Sequence, residues 1–397
     1  MTSFKFIKAV LSNVACVRIA FALTPEHGSD REVGWSALEA DRRAGRDVVY
    51  ITSPTDFQSI ATHFEINDND VLNFGTVRVL SWPLELPLRL VANGYVRYFL
   101  WVVSLQLFLR SWCRGRGAKV HFVTYTQLAT PILMPNSVHV YLGPVGIIPK
   151  VRWSAPVSRE LALKSKIMWA IIMPLVRALS YTGDVKSSVV HPSIARSLGP
   201  NESRVISALN VDYLETKMAT ASDDATIDAI VVARSVSFKN LEIASKALRK
   251  VSAISGRSTR VINAGKQADF AYKSGAFVEV GRQDRATVMQ DLKASRLHVT
   301  LSVELGGYIN LEAATQGVPT LCLRGYGASF MLNPSDRFLL NIESMTPDYV
   351  ADRVLALLND ERLIAEEAVR QRHFAQFFLE TNRDRYEHWL AESGVAN

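Results

Sequence analysis

The sequence is short of the residues that build disulfide or metal frameworks. Among its 397 residues are three cysteines, Cys16, Cys113 and Cys322, far apart along the chain. They match no metal-ligand spacing and form no paired framework, which fits a reducing compartment. Asp68-Asn69-Asp70 spells D-x-D, but within the polar stretch HFEINDND and without an apolar strand before it. An Asn/Asp loop is the better reading, and no metal is expected. Glycine (21) and proline (15) show no excess, and 48% of residues are hydrophobic against 21% charged, which is a globular composition with room for two domains.

Acid is scarce in one region. No Asp or Glu occurs between Glu85 and Glu160, and residues 71–204 hold 16 basic and only 4 acidic side chains. The net charge of +7 is thus concentrated in the first half. Such a block points to an anionic partner, and no nucleic-acid motif accompanies it, so nucleic acid is not expected. Long uninterrupted apolar runs are missing as well. Tyr95–Trp112, YVRYFLWVVSLQLFLRSW, contains Arg97, Gln106 and Arg110, too polar for a spanning helix and suited to one lying in a membrane interface or facing a core. The N-terminal apolar stretch is interrupted by Arg18, so Val17–Leu23 reads as a first strand rather than as part of a cleaved signal.

What the chain does have is strand–helix alternation on both sides of a polar linker, TKMATASDDAT, at 216–226. Before it, strands are expected at Val17–Leu23, Asp47–Thr52, Val77–Leu80, Lys119–Tyr125, Val138–Leu142, Lys186–Val190 and Arg204–Ala208, with helices near 35–44, 95–113 and 158–180. After it come strands at Ile227–Ala233, Thr259–Ala264, Ala276–Val280, Leu297–Val303 and Thr320–Leu323, and helices at 241–254, 285–294, 308–315 and roughly 348–394. The pattern predicts an α/β chain of two doubly wound domains facing a cleft.

The densest chemistry lies in SVELGGYINLEAATQGVPTLCLRGYGAS, residues 302–329. A buried strand ends at Glu304; Gly306-Gly307 makes a turn; a helix opens at Tyr308 and carries Glu312; Gly317-Val318-Pro319 stops it. Acids and glycines are thereby placed at the carboxyl end of a parallel sheet, where open α/β sheets bind ligands. Bare glycine N–H groups can approach phosphate, and carboxylates accept from hydroxyls. In AIVVARSVSFKN, residues 229–240, Arg234 closes a strand and Lys239 precedes a helix, and two cations there can grip a diphosphate and stabilise it as a leaving group. In the first half, Glu26–Trp35, EHGSDREVGW, is a glycine-containing turn without the G-x-G-x-x-G dinucleotide pattern. His121 and Tyr125 share the strand-like run KVHFVTYT, and LGPVG carries Gly143 and Gly146 in a turn.

These residues resemble the GT-B fold and, within it, the retaining glycosyltransferase family 4, in a branch common in bacterial exopolysaccharide and lipid-linked sugar assembly. Glu304 and Glu312 are similar to the family's paired glutamates in the frame S-x-E…G…LEA…GVP, and Arg234 and Lys239 to its donor-diphosphate pair. The resemblance implies a retaining, metal-independent transfer of a sugar from a nucleotide diphosphate-sugar to a hydroxyl of a saccharide or polyprenyl-diphosphate-linked acceptor, with no cofactor. Arg234, Lys239, Glu304 and His121 would be catalytic. Glu312 would hold the ribose, with Gly306, Gly307, Tyr308, Gly327, Ala328, Gly28 and Ser29 around the donor, and Gly327 and Ala328 giving backbone N–H groups to the diphosphate. Tyr125, Gly143 and Gly146 would face the acceptor. The domains implied are 1–215 for the acceptor, 216–375 for the donor and a helix at 376–397 crossing back. A peripheral protein at an anionic membrane surface, on the cytoplasmic face of the plasma membrane, is expected. The competing reading is a catalytically inactive nucleotide-sugar-binding scaffold. Two departures stand out: Ile147-Ile148-Pro149 follows GPVG, and Gly306 stands where the wider family has an aromatic residue.

Overall fold

The computed structural model describes residues 4–12, 14–24, 29–66, 70–83, 94–113, 116–123, 133–135, 137–143, 159–172, 174, 185–189, 205–207, 225–304 and 307–394. They group into two units: residues 1–147, 171–213 and 381–397 in one, and 148–170 and 214–380 in the other.

The first unit is built on eight strands: β1 (Cys16–Ile19), β2 (Val48–Thr52), β3 (Val71–Phe74), β4 (Val77–Ser81), β5 (Lys119–Phe122), β6 (His139–Leu142), β7 (Val185–Val189) and β8 (Val205–Ser207). Their order across the sheet is β3-β4-β2-β1-β5-β6-β7-β8. All neighbours pair in parallel except β3 and β4, a hairpin whose turn places Gly75 at φ 70°. A parallel sheet covered on both faces needs strands apolar at every position, and β2 (VVYIT) is buried throughout. The helices are α1 (Phe4–Leu11), α2 (Ser29–Arg43), α3 (Pro54–His63) and α4 (Gly94–Cys113). Ser53 caps α3 by accepting from the Asp56 N–H at 3.2 Å, and Pro54 takes the first helical position, where no N–H is needed.

The second unit holds seven strands: β9 (Ile227–Ala233), β10 (Thr259–Asn263), β11 (Ala271–Ser274), β12 (Phe277–Val280), β13 (Ser295–Thr300), β14 (Thr320–Leu323) and β15 (Leu339–Leu340). Their order is β11-β12-β10-β9-β13-β14-β15, parallel apart from the β11–β12 hairpin. The described helices are α5 (Arg159–Ile167), α6 (Leu241–Ser255), α7 (Arg285–Lys293), α8 (Tyr308–Thr315), α9 (Gly327–Leu332), α10 (Pro347–Leu358) and α11 (Glu361–Ser393). In α6 the buried positions Leu241, Ala244, Ala247, Leu248 and Val251 follow helical spacing, and Gly256 ends the helix at φ 67°. They pack with Val231, Val261, Leu297, Val299 and Leu321 in one core.

Sequence and structure agree closely in the second unit, where Ile227–Ala233, Thr320–Leu323 and Tyr308–Thr315 keep their expected bounds. In the first unit the expected Val17–Leu23 strand is instead Cys16–Ile19. Helices α1, α3 and α9 and the hairpin strands β3 and β11 were not read in the sequence, and β11 is exposed at every position, leaving no apolar alternation to read. The 33-residue α11 begins in the second unit, and its last residues group with the first.

Candidate functional site

In the second sheet the chain leaves β9 for β10 on one side and later returns to β13 on the other. The order therefore reverses between β9 and β13. Loops leaving their carboxyl ends diverge there, which is where doubly wound sheets open a crevice for ligands. Lys239 and Glu304 meet at this point, and Arg234 and Glu312 lie on segments leaving the same two strands.

Arg234 follows the last residue of β9 and is exposed. A single 3-10 turn, Ser237–Lys239, then leads to Asn240, whose left-handed φ of 49° redirects the chain into α6. Asn240 is also a fastener: its Nδ2 donates to the Leu301 carbonyl at 2.8 Å. The Val303 N–H donates to the Phe238 carbonyl at 2.9 Å. These two bonds fix the β9–α6 loop against the chain leaving β13, and they bring the Lys239 ammonium and the Glu304 carboxylate together as an ion pair. Lys239 is also 5.8 Å from the Phe238 ring centroid, which limits its freedom on one side.

Gly307 precedes α8 at φ 154°, and a Cβ built there would lie 2.6 Å from Asn310 Nδ2. That amide donates back to the Gly307 carbonyl at 2.7 Å, so turn and helix start are locked in one conformation. Tyr308 opens α8, and Glu312 lies one turn further on, 12% exposed and 2.7 Å from Arg285 Nη2 at the start of α7. Arg285 is the neighbour that sequence reasoning missed. It lies far from Glu312 in sequence, and only the position of α7 against α8 shows it. On the other side of the β9 loop, a Cβ on Gly265 would come within 3.0 Å of the Ser235 nitrogen, so this glycine permits a close approach of two loops.

Two expectations are corrected. Gly327 was expected to offer its N–H to the diphosphate, but that N–H donates to the Glu304 carbonyl at 3.0 Å, which ties α9 to the loop after β13 instead. Ala328 follows it, buried, in the first turn of α9. His121 was expected to touch sugar, but it is fully buried in the first unit. Its Nε2 accepts from the Trp389 indole at 3.2 Å, and its Nδ1 lies 3.0 Å from Ser393 Oγ and 2.5 Å from Arg18 Nη1. Burial first, then the adjacent Arg18 cation, push its pKa well below 6.5, so the ring is neutral. Arg18 is itself held by Asp41 at 2.5 Å, and Asp41 accepts from Tyr50 and Arg46 at 2.8 and 2.9 Å. The apolar-looking strand in which His121 lies conceals a buried polar network that fixes the end of α11.

Gly143 lies just past β6, its N–H donating to the Phe122 carbonyl at 3.1 Å. Ser29 begins α2. Gly28, Tyr125, Gly146 and Gly306 lie outside the described residues. Among the described residues, no group of three or more His, Cys, Asp or Glu side chains is arranged to hold a metal ion.

Whole-chain comparison decides the architecture. A sucrose-phosphate synthase from Thermosynechococcus elongatus superposes with a TM-score of 0.62 at 15% identity, over 95% of this chain and 99% of its own. WaaG, a glycosyltransferase involved in lipopolysaccharide biosynthesis, gives 0.62 at 12% identity over 94% and 99%. The fold is GT-B. HepE from Anabaena, solved in complex with UDP-glucose, gives 0.59 at 11% identity over 95% and 100%. No family model and no curated protein matches the sequence. In GT-B terms the two units are the two Rossmann-like domains, and the Lys239–Glu304 pair lies at the switch point of the second.

Proposed function

We propose that the protein is a glycosyltransferase that moves a sugar from a nucleotide diphosphate-sugar to a hydroxyl of a saccharide acceptor, with retention at the anomeric carbon. The observation that carries this reading is the Lys239–Glu304 pair at the sheet switch point, with Arg234 and Glu312 on the neighbouring segments. Arg234 and Lys239 follow β9, Glu304 follows β13, and Glu312 lies in the helix between β13 and β14. In the reaction the bond from the anomeric carbon to the diphosphate oxygen breaks, a bond to the acceptor oxygen forms, and the acceptor's hydroxyl proton passes to the departing diphosphate. Negative charge grows on the departing diphosphate, and in this reading Arg234 and Lys239 take it up in the place of a metal ion. Lys239 is paired with Glu304. A diphosphate beside Lys239 would draw the ammonium toward itself and release the carboxylate to the sugar hydroxyls. Glu312 accepts from the ribose.

The acid-free stretch from Glu85 to Glu160 supports an anionic acceptor, such as a saccharide carried on a polyprenyl diphosphate in surface-glycan assembly. That a GT-B neighbour was solved with UDP-glucose makes UDP-sugars the first donors to try. The test is a thermal-shift panel of UDP- and GDP-sugars followed by assay of released nucleoside diphosphate with and without saccharide acceptors. A stabilising donor that is turned over supports the enzyme. A donor that binds without turnover under any acceptor supports the inactive scaffold, and no stabilisation by any nucleotide-sugar removes both readings.

A further inference from the structure

Helix α4 is apolar on two opposite faces, and only one is covered. Its inner face, Trp101, Val102, Leu105, Leu109 and Trp112, is buried in the first unit. Trp82 Nε1 donates to Ser104 Oγ at 3.0 Å, and Trp112 Nε1 to the Leu11 carbonyl at 2.9 Å, which fasten the helix along the surface. The outer face carries Val96, Phe99, Leu100 and Leu107, which are 45%, 42%, 38% and 55% exposed. Their spacing puts them on a single stripe about three turns long. A surface helix normally turns its polar residues outward, and one that is apolar all round is normally covered all round.

Helix α1 extends the stripe. Phe4, 48% exposed, packs edge-on against Trp82 at 5.2 Å and lies 5.9 Å from Phe108. Lys5 and Lys8 are exposed beside it, while Ile7 and Leu11 point inward. Arg116, exposed just past α4, donates to the Ser12 carbonyl at 2.9 Å and so joins the ends of the two helices. No acid occurs before Glu26 or between Glu85 and Glu160, so neither helix contributes a negative charge. Among the described residues no helix is long and apolar enough to cross a membrane.

We propose that the outer faces of α1 and α4 form one docking surface for an anionic lipid bilayer. Phe4, Phe99, Leu100 and Leu107 enter the boundary between headgroups and acyl chains, and Lys5, Lys8 and Arg116 meet the headgroup phosphates. An apolar ridge on two helices that carry cations and no acid matches an anionic interface in both respects. A second copy of the chain would set like charges against each other, and nucleic acid would leave the apolar ridge unused. This surface lies in the first unit and stands independently of the transferase reading.

The test is flotation of the full chain with vesicles of phosphatidylcholine alone and mixed with phosphatidylglycerol, at low and high salt. Binding is expected to the mixed vesicles, weakening as salt rises. Each lipid-facing cation contributes about fivefold in affinity, so Lys5→Glu with Lys8→Glu should cut binding about tenfold or more. Phe99→Glu with Leu107→Glu should cut it at least as far while leaving the melting temperature nearly unchanged. Should that double variant misfold, Leu107→Cys carrying an environment-sensitive dye gives an independent reading, because Cys16, Cys113 and Cys322 are all buried. Its emission should shift to the blue on addition of anionic vesicles. Absence of binding to anionic vesicles at low salt, binding unaffected by the glutamate variants, an unmoved dye spectrum, or a dimer that Leu107→Glu dissociates would each overturn the proposal.

Discussion

The Trp389 indole nitrogen lies 3.2 Å from His121 Nε2, so the last turns of α11 are hydrogen-bonded to strand β5. His121 Nδ1 lies between Ser393 Oγ at 3.0 Å and Arg18 Nη1 at 2.5 Å. Arg18 Nη1 donates to the same hydroxyl at 2.8 Å, and its Nη2 to the Leu390 carbonyl at 3.0 Å. The end of the chain is therefore held in the first unit by a polar network without solvent.

Two buried histidines, His121 in this network and His298 in the second unit, set a pH dependence of stability. His121 is held well below its ordinary pKa by burial and by Arg18, and His298 in β13 is pushed down by burial to about 3. Both rings stay neutral when folded and take up protons near pH 6.5 when unfolded. The unfolded state thus binds more protons as pH falls. The stability the two rings carry is complete above pH 6.5 and is lost progressively below it, by up to about 1.4 kcal/mol per pH unit for each ring. Thermal melts from pH 7.5 to 5 should fall, and His298→Gln should flatten the slope. An unchanged slope in that variant would remove His298 from the account.

Arg234→Ala and Lys239→Ala should each reduce turnover by about 10²-fold or more, because each removes a cation aimed at the leaving diphosphate. Lys239 also pairs with Glu304. Steady-state kinetics of the two variants check the rates, and near wild-type turnover in both would dismiss the assignment.

Gly307→Ala meets two obstacles, a φ of 154° and a Cβ 2.6 Å from Asn310 Nδ2. Urea unfolding should show a loss of about 1–3 kcal/mol. Gly275→Ala, at φ 59° with open space around it, serves as control and should cost about 1 kcal/mol. Equal losses in the two would mean that the Asn310 contact adds nothing.

Legibility in the sequence follows the physics of each region. Strands β9 and β14 and helix α8 are bounded by punctuation that acts locally: apolar runs, a glycine turn, and Gly317-Val318-Pro319. For the same reason Arg234, Lys239, Glu304 and Glu312 could be assigned to these elements beforehand. Arg285 could not, since its salt bridge with Glu312 depends on how α7 packs against α8. His121 was misassigned because a histidine in a strand gives no local sign of whether it faces a site or a buried arginine, and its partners Trp389 and Ser393 lie at the far end of the chain. Helix α1 was hidden by its similarity to a secretion signal: its cations and apolar residues alternate as they would in either.

The most direct test of the central claim, that the β9–β13 switch point is a nucleotide diphosphate-sugar site, is calorimetric titration of UDP, GDP and their 2′-deoxy analogues into wild-type protein and Glu312→Gln. Glu312 is 12% exposed and held by Arg285 at 2.7 Å, and in the proposed reading it accepts from the ribose hydroxyls. Wild type should bind at least one ribonucleoside diphosphate and prefer it to its deoxy form. Glu312→Gln should weaken that binding by about 1–3 kcal/mol and erase the preference while the fold persists. Absence of binding by every nucleoside diphosphate, or unchanged affinity and preference in Glu312→Gln, would contradict the claim.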